Sequence, residues 1–237
     1  MIDPEKIKLI IFDVDGTLAE TDDYYTEKAA VLIGKILPFL DRETIEKPVR
    51  FPVMAGETIL HFFYRLLDLV GLDSLVSKMH SKMSVSSQYK YREVEGMRDT
   101  LSVLREKYEI GILSSGGRQS TDSFIEKFDL SGIIDLVVSS EDCKYIKPHP
   151  LPIRLMAANA GVSAENCLMV GDTVYDILCA RRAGASFAAV KTGFDTPLFL
   201  RLFQADLILE SVNELPAILK VYSGEIDNSV DKPKDLV

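Results

Sequence analysis

The feature that most constrains the fold is an apolar segment near the start of the chain that ends in two aspartates. Residues 7–12 are mostly apolar, and Asp13 and Asp15 follow with one residue between them, just before Gly16. A short apolar segment bounded by a turn signal is typical of a buried strand. Alternate residues of an extended chain point the same way, so the two carboxylates can face one small volume. They repel each other unless a cation lies between them or one is protonated, so the pair indicates a chemical role.

The composition is that of a soluble globular protein with one large or two small domains. The chain has 237 residues, of which 47% are hydrophobic and 27% charged. Its formal net charge of −9 argues against a general nucleic-acid-binding protein. It does not exclude phosphorylated substrates, because a bound cation can make the local field positive. We expect Cys143, Cys167 and Cys179 to be reduced thiols. There is no apolar stretch of spanning length and no signal-peptide pattern, so we expect a cytoplasmic protein without membrane contacts.

Helix and strand patterns divide the chain into a core and an insertion. From Gly96 onward strands alternate with helices, which indicates an α/β fold with a doubly wound, Rossmann-like parallel sheet. The preceding segment has helical patterns but no convincing strand, which predicts a small all-α cap domain inserted after the first strand. We predict a core domain of residues 1–18 and 94–222, a cap domain of residues 19–93 and a flexible tail of residues 223–237.

Each core element has a predicted range. The later strands are predicted at residues 110–113, 133–138, 167–170, 187–190 and 206–209. The core helices are predicted at residues 97–108, 118–128, 150–160, 174–183 and 212–222.

Three further polar clusters follow predicted strands, as the two aspartates do. They are Ser114-Ser115-Gly116-Gly117, Lys147-Pro148-His149-Pro150 and Gly171-Asp172-Thr173-Val174-Tyr175-Asp176. The carboxyl ends of parallel strands lie at one edge of a sheet, so these clusters should converge with Asp13 and Asp15. Up to four carboxylates in one place require a hard cation, and Mg²⁺ shared with a substrate phosphate is the simplest choice. Lys147 and the turn amides would bind the remaining phosphate oxygens.

The four motifs, in this order, resemble those of the haloacid dehalogenase-like phosphatases that carry a helical cap after the first motif. Residues 13–17, Asp-Val-Asp-Gly-Thr, are similar to the first motif, DxDGT. Ser114 stands at the second-motif Ser or Thr, and Lys147 at the third-motif lysine of KPxP. Asp172 and Asp176 fit the fourth motif, GDTxxD.

This resemblance implies a two-step phosphoryl transfer. Asp13 would attack phosphorus and form an aspartyl-phosphate, while Asp15 would protonate the leaving oxygen and then deprotonate the attacking water. Mg²⁺ would be held by the Asp13 carboxylate, the Asp15 main-chain carbonyl and Asp172. Asp176 would either orient metal-bound water from outside the coordination sphere or hold Lys147.

The resemblance also assigns the substrate contacts. Ser114 and Lys147 are implied to hold the transferring phosphoryl group, and Ser115 is a further candidate substrate-binding residue. In the cap, Gly56 falls in the segment that matches the family's specificity loop, and Arg50 is a candidate cation for the rest of the substrate.

The function implied over residues 8 to about 193 is a Mg²⁺-dependent phosphatase acting on a small phosphorylated metabolite. Phosphoglycolate phosphatases and sugar-phosphate members have the nearest patterns, and we expect a monomer or homodimer. A phosphomutase of the β-phosphoglucomutase type would use the same residues but shield the aspartyl-phosphate from water. A non-catalytic binding protein with the same fold is the third alternative, although such a protein is expected to lack a motif residue and this chain has them all.

Some of these residues also have purely structural interpretations. Asp13 and Asp15 could be an N-cap and turn pair, and Asp172-Thr173 could cap a helix as well as bind a ligand. His149 is predicted to be an incidental loop histidine, and Arg118 a solvated residue at a helix start.

Overall fold

A computed structural model describes residues 2–20 and 92–221, and six strands of these residues form one parallel sheet. The strands are β1 (Leu9–Phe12), β2 (Glu109–Leu113), β3 (Leu136–Val138), β4 (Cys167–Gly171), β5 (Ser186–Val190) and β6 (Leu207–Leu209). Their order across the sheet is β3-β2-β1-β4-β5-β6, and every neighbouring pair is parallel. This order is that of an open doubly wound sheet, which confirms the predicted α/β class.

Helices follow the strands and cover both faces of the sheet. They are α1 (Met97–Arg105), α2 (Arg118–Lys127), α3 (Leu151–Asn159), α4 (Val174–Ala183), α5 (Pro197–Leu202) and α6 (Leu215–Ile218). Two short 3₁₀ segments, Ala164–Asn166 and Val212–Glu214, precede β4 and α6.

The residues of the central strand β1 are buried on both faces of the sheet. Ile10 and Phe12 of β1 belong to one apolar cluster, whereas Leu9 and Ile11 belong to the other. All four are fully buried, and each such side chain contributes about 1.5–3 kcal/mol relative to an exposed one. Burial on both faces fixes β1, and therefore also fixes the residues that follow it.

The chain turns sharply after β1. Gly16 adopts a positive φ of 80°, and the amides of Leu18 and Ala19 donate to the Val14 carbonyl at 3.0 and 2.9 Å. The Glu20 amide then donates to the Arg92 carbonyl at 2.8 Å. The two residues that border segment 21–91 therefore lie side by side.

Several predicted boundaries differ from the structure. The strand predicted at 133–138 is confined to Leu136–Val138, because the amides of Ile133 and Ile134 donate to Leu130 in a turn. The helix predicted at 212–222 is a 3₁₀ turn and one helical turn, since Lys220 has a positive φ of 55° soon afterwards. The helix predicted at 97–108 ends at Arg105. Helix α5 was not predicted.

Other predictions lie wholly or mostly outside the described residues. They concern the cap domain of residues 19–93 with Arg50 and Gly56, and the tail of residues 223–237.

All three cysteines are free thiols. Within the described ranges, no helix has both the length and the apolar character needed to cross a membrane.

Candidate active site

The candidate site lies at the carboxyl edge of the sheet, where β1 and its two neighbours end. Asp13 comes directly after β1, and its amide donates to the Val170 carbonyl of β4 at 2.9 Å. Ser114 follows β2, and Asp172 follows β4. Because the three strands are parallel and in register, the predicted motif residues are brought to one edge.

A buried lysine joins two of the aspartates. Lys147 Nζ lies 2.6 Å from Asp13 Oδ1 and 2.7 Å from Asp176 Oδ1. The side chains of Lys147, Asp13 and Asp176 are only 6%, 9% and 0% exposed. Two of the three ammonium N–H groups are used in this way, so the third can be donated to a ligand.

Asp172 accepts two hydrogen bonds and lies close to two glycines. Its Oδ2 accepts the Phe194 amide at 2.7 Å, and its Oδ1 accepts the Thr17 hydroxyl at 3.3 Å. A Cβ on Gly16 would lie 2.3 Å from Asp172 Oδ2, and one on Gly193 would lie 2.0 Å from the same atom. Both positions therefore require glycine, because no side chain could be accommodated against the carboxylate.

Asp176 is part of the N-terminal cap of α4. Thr173 is the N-cap residue, and its side chain accepts the Asp176 amide at 3.4 Å. In return, Asp176 Oδ2 accepts the Thr173 amide at 3.1 Å and the Thr173 hydroxyl at 2.6 Å. This reciprocal arrangement is a capping box, and it leaves Asp176 Oδ1 for Lys147. The predicted capping of this helix is thus made by Thr173 rather than by Asp172.

The charges of this cluster are not balanced. Burial, together with the neighbouring Asp176 and Asp15, raises the pKa of Asp13 to about 7, against the lowering effect of Lys147. Burial together with Asp13 and Asp176 also raises the pKa of Asp172 well above its usual range. Burial alone would lower the pKa of Lys147, but attraction to Asp13 and Asp176 outweighs it and the pKa is raised. The lysine therefore stays charged.

Three of the carboxylates could share a metal ion. Oxygens of Asp13, Asp172 and Asp176 lie within 4.8 Å of one another. When all three carboxylates are ionised, the one ammonium leaves two negative charges unbalanced, which a divalent cation would neutralise. An all-oxygen set suits Mg²⁺, so the residues present fit the predicted ion. Asp15, whose carbonyl was predicted to be a ligand, is half-buried and precedes the glycine turn.

The loop after β2 is held by hydrogen bonds that involve Ser114 and Ser140. The Ser114 oxygen accepts the Gly116 amide at 3.0 Å, so its hydroxyl hydrogen can be donated elsewhere. Ser140 holds this loop from β3, because its amide and its hydroxyl donate to the Gly116 carbonyl at 3.1 and 3.0 Å. Ser115 is half-buried beside it. The phosphoryl contact predicted for Ser114 and the substrate contact predicted for Ser115 remain predictions.

Two residues interpreted as structural have defined contacts. His149 stacks on Tyr145 with ring centroids 4.2 Å apart, and its Nδ1 accepts the Leu151 amide at 3.1 Å. The Arg118 guanidinium pairs with Asp122 at 3.0 Å and Asp142 at 3.2 Å.

Sequence reasoning missed the contribution of the loop after β5. Besides the Phe194 amide, Thr192 donates its hydroxyl to the Gly16 carbonyl at 2.7 Å, and Asp195 accepts the Val174 amide at 2.6 Å. Thr17 was identified from the sequence only as the last residue of the DxDGT motif. The available signal was a further polar cluster after an apolar strand, Lys191-Thr192-Gly193-Phe194-Asp195.

Comparison with known proteins gives one family and close agreement in length. The family described as "Haloacid dehalogenase-like hydrolase" matches residues 10–190. "Pyrophosphatase PpaX" of Bacillus cereus (strain AH820) is 27% identical over 217 residues, which cover 90% of this chain and 97% of that protein. The protein of the same name in Anoxybacillus flavithermus is 28% identical over 218 residues, covering 92% and 99%.

Solved structures share the fold at lower identity. A predicted phosphoglycolate phosphatase from Haemophilus somnus 129Pt is 17% identical with a TM-score of 0.60, and the match covers 90% of this chain and 98% of that one. L-2-haloacid dehalogenase from Xanthobacter autotrophicus is 18% identical with a TM-score of 0.62, covering 92% and 100%. One scaffold is thus used by proteins named for different reactions, so the reaction has to be argued from the site.

Proposed function

This chain belongs to the haloacid dehalogenase-like hydrolase family, and from that premise we propose that it is a Mg²⁺-dependent phosphatase acting through an aspartyl-phosphate. The substrate is a small phosphorylated compound. The proposal concerns the ion, the substrate class and the role of each residue.

One observation carries the proposal: Lys147 bridges Asp13 and Asp176 inside a buried group of three carboxylates. A nucleophilic carboxylate that approaches a phosphate must overcome repulsion between anions. The lysine and a divalent cation would remove that repulsion. Asp15 also favours phosphoryl transfer over dehalogenation, since the resemblance implies that dehalogenating members lack a carboxylate there.

In the first step Asp13 attacks phosphorus while Asp15 donates a proton to the leaving oxygen. A bond forms between an Asp13 oxygen and phosphorus, and the bond from phosphorus to the leaving oxygen breaks. Lys147 and the Ser114 hydroxyl donate to the phosphoryl oxygens and hold the group in line.

In the second step Asp15 takes a proton from water, which then attacks the aspartyl-phosphate. Phosphate leaves, and the Asp13 carboxylate is restored. One residue serves first as the acid and then as the base, so no further titrating group is needed.

Asp13, Asp172 and the Asp15 carbonyl would hold Mg²⁺, with Asp176 either outside the coordination sphere or committed to Lys147. When bound, Mg²⁺ supplies positive charge beside the transferring phosphoryl group. Under this proposal the cap of residues 19–93 contributes Arg50 and Gly56 to substrate selection.

Pyrophosphate is a second candidate substrate beside the phosphoglycolate and sugar-phosphate class. The relatives that match almost their whole length are named pyrophosphatases. The proposed chemistry serves both classes, because only the leaving group differs: a phosphate oxygen in one and an alcohol oxygen in the other.

The test is a substrate screen with and without Mg²⁺. Purified protein is incubated with pyrophosphate, 2-phosphoglycolate and hexose phosphates, and released phosphate is measured; 2-chloropropionate with chloride detection serves as the dehalogenase control. We expect Mg²⁺-dependent phosphate release and no chloride. Asp13→Asn should lower turnover by roughly 10⁴-fold or more while leaving the circular dichroism spectrum unchanged.

Three outcomes would contradict the proposal. Undiminished turnover in Asp13→Asn would remove the nucleophile, and chloride release without phosphate release would make the protein a dehalogenase. Interconversion of hexose phosphates without phosphate release would assign the phosphomutase alternative.

A further inference from the structure

We propose that residues 192–195, here called the β5 loop, are a positioning element of the site, with Asp195 and Thr192 as its positioning residues. The inference rests on the proposed function, because it concerns how the same acidic cluster is kept ready for a metal ion. It assigns a role to a segment that lies outside the four sequence motifs.

The β5 loop makes three hydrogen bonds to three separate parts of the site. Thr192 Oγ1 donates to the Gly16 carbonyl at 2.7 Å, within the turn that follows Asp13 and Asp15. The Phe194 amide donates to Asp172 Oδ2 at 2.7 Å. Asp195 Oδ2 accepts the Val174 amide, the first of α4, at 2.6 Å.

The loop also limits where Asp172 can lie. Because a Cβ on Gly193 would fall 2.0 Å from Asp172 Oδ2, the backbone itself forms one wall of the carboxylate's position. Gly16 approaches the same oxygen beside Gly193, because its ideal Cβ would lie 2.3 Å from Asp172 Oδ2 and 3.0 Å from the Gly193 Cα. The β5 loop and the turn after β1 thus meet at one Asp172 oxygen, and the hydrogen bond from Thr192 to Gly16 joins them there.

Asp195 acts on the site indirectly, through the first turn of α4. The first amides of a helix have no intrahelical acceptor, so Val174 needs one from elsewhere. Thr173 accepts the amide of Asp176, and Asp195 accepts that of Val174. Together they fix the first turn of α4, which carries Asp176 and through it the Lys147 ammonium.

A helix cap with a purely structural role would affect stability and nothing else. A positioning role makes a further demand: loss of Asp195 should weaken metal binding, because Asp172 and Asp176 would no longer be held at a fixed separation. Residues that orient metal ligands typically change affinity or activity by 10- to 100-fold when they are replaced.

The experiment compares Asp195→Ala and Asp195→Asn with the wild-type full chain. Mg²⁺ affinity is measured by calorimetric titration of MgCl₂ into metal-free protein, and amide exchange at Val174 by NMR. Asp195→Ala should weaken Mg²⁺ binding by roughly 10- to 100-fold and speed exchange at Val174. Asp195→Asn keeps an acceptor oxygen and should restore most of the affinity.

Asp206→Ala is the matched control. Asp206 Oδ2 accepts the Phe187 amide of β5 at 2.8 Å, so its loss removes the same type of hydrogen bond near the start of the strand, at the edge away from the site. It should lower the melting temperature but leave Mg²⁺ affinity unchanged. Equal Mg²⁺ affinities in Asp195→Ala and Asp206→Ala would overturn the inference.

A second variant keeps the test decisive if Asp195→Ala does not fold. Thr192→Val retains the shape of the side chain and removes only the bond to Gly16. It should lower Mg²⁺ affinity in the same direction, and wild-type affinity in this variant would count against the β5 loop.

Failure of the proposed function would be recognised separately. If the wild-type protein binds no Mg²⁺ and releases no phosphate from any substrate, the phosphatase proposal falls. Exchange at the Val174 amide still reports on the Asp195 contact in that case, and unchanged exchange in Asp195→Ala would show that the loop does not fix α4.

Discussion

Lys147→Met offers the sharpest test of the charge balance in the cluster. Methionine fills much of the same volume, so the main change is loss of the ammonium that lies 2.6 and 2.7 Å from two buried carboxylates. Removing one partner of a buried ion pair costs about 3–5 kcal/mol, because the other charge is left without compensation. Asp13 can take up a proton near neutral pH, since its pKa is raised to about 7. This relief places the expected loss near the lower limit, about 3 kcal/mol.

The assay is urea unfolding in EDTA at pH 7.5, followed by circular dichroism. Lys191→Met is the matched control: it also removes a lysine paired with a carboxylate, but its partner Glu210 is 71% exposed, so we expect a loss below about 1 kcal/mol. Saturating Mg²⁺ should reduce the effect of Lys147→Met, because a divalent cation compensates part of the missing charge. Equal losses in the two variants would refute the idea that the cluster depends on Lys147 for charge balance.

Two further predictions concern the glycines and the loop after β3. Gly193→Ala places a Cβ 2.0 Å from an Asp172 oxygen and should abolish Mg²⁺ binding by calorimetry, whereas Gly132→Ala, which meets nothing within 4 Å, should bind like the wild type. Burial alone would raise the pKa of Asp142, but hydrogen bonds from Ser139 outweigh burial, so the pKa is lowered. The stability that this group adds is therefore present above its unfolded pKa of about 3.9 and is lost as the pH falls through the lower folded value. The difference in unfolding free energy between wild type and Asp142→Asn should shrink over that range, and a constant difference would contradict the assignment.

The sheet could be predicted because its strands are almost entirely apolar, with Glu109 and Ser186 as the polar residues at their starts. A strand buried on both faces, such as β1 or β4, leaves an uninterrupted apolar segment that periodicity detects easily. Helix α5 was not predicted, because it lacks the pattern by which a surface helix is recognised in a sequence. It has only six residues, and Leu198 and Leu202 are exposed, so it lacks the polar face that marks a surface helix.

The motif residues could be predicted because each follows a strand at the same edge. What the sequence could not supply was the contacts made by backbone atoms. The Phe194 amide that binds Asp172 carries no side-chain signature, and Gly193 reveals its closeness to that carboxylate only in three dimensions. Asp195 lies 19 residues after Asp176 in the chain, so neither helix nor strand periodicity relates them.

Asp176 shows why the stability of α4 and the geometry of the site are coupled. Its Oδ2 accepts two hydrogen bonds from Thr173, and its Oδ1 accepts one from Lys147. The lysine comes from a loop after β3, and loops are in general more mobile than the elements they connect. Its ammonium is nevertheless fixed by a carboxylate that the helix cap holds in place. The separation between Lys147 and Asp13 therefore depends on a capped helix and a buried strand, and the loop needs only to deliver the side chain to them.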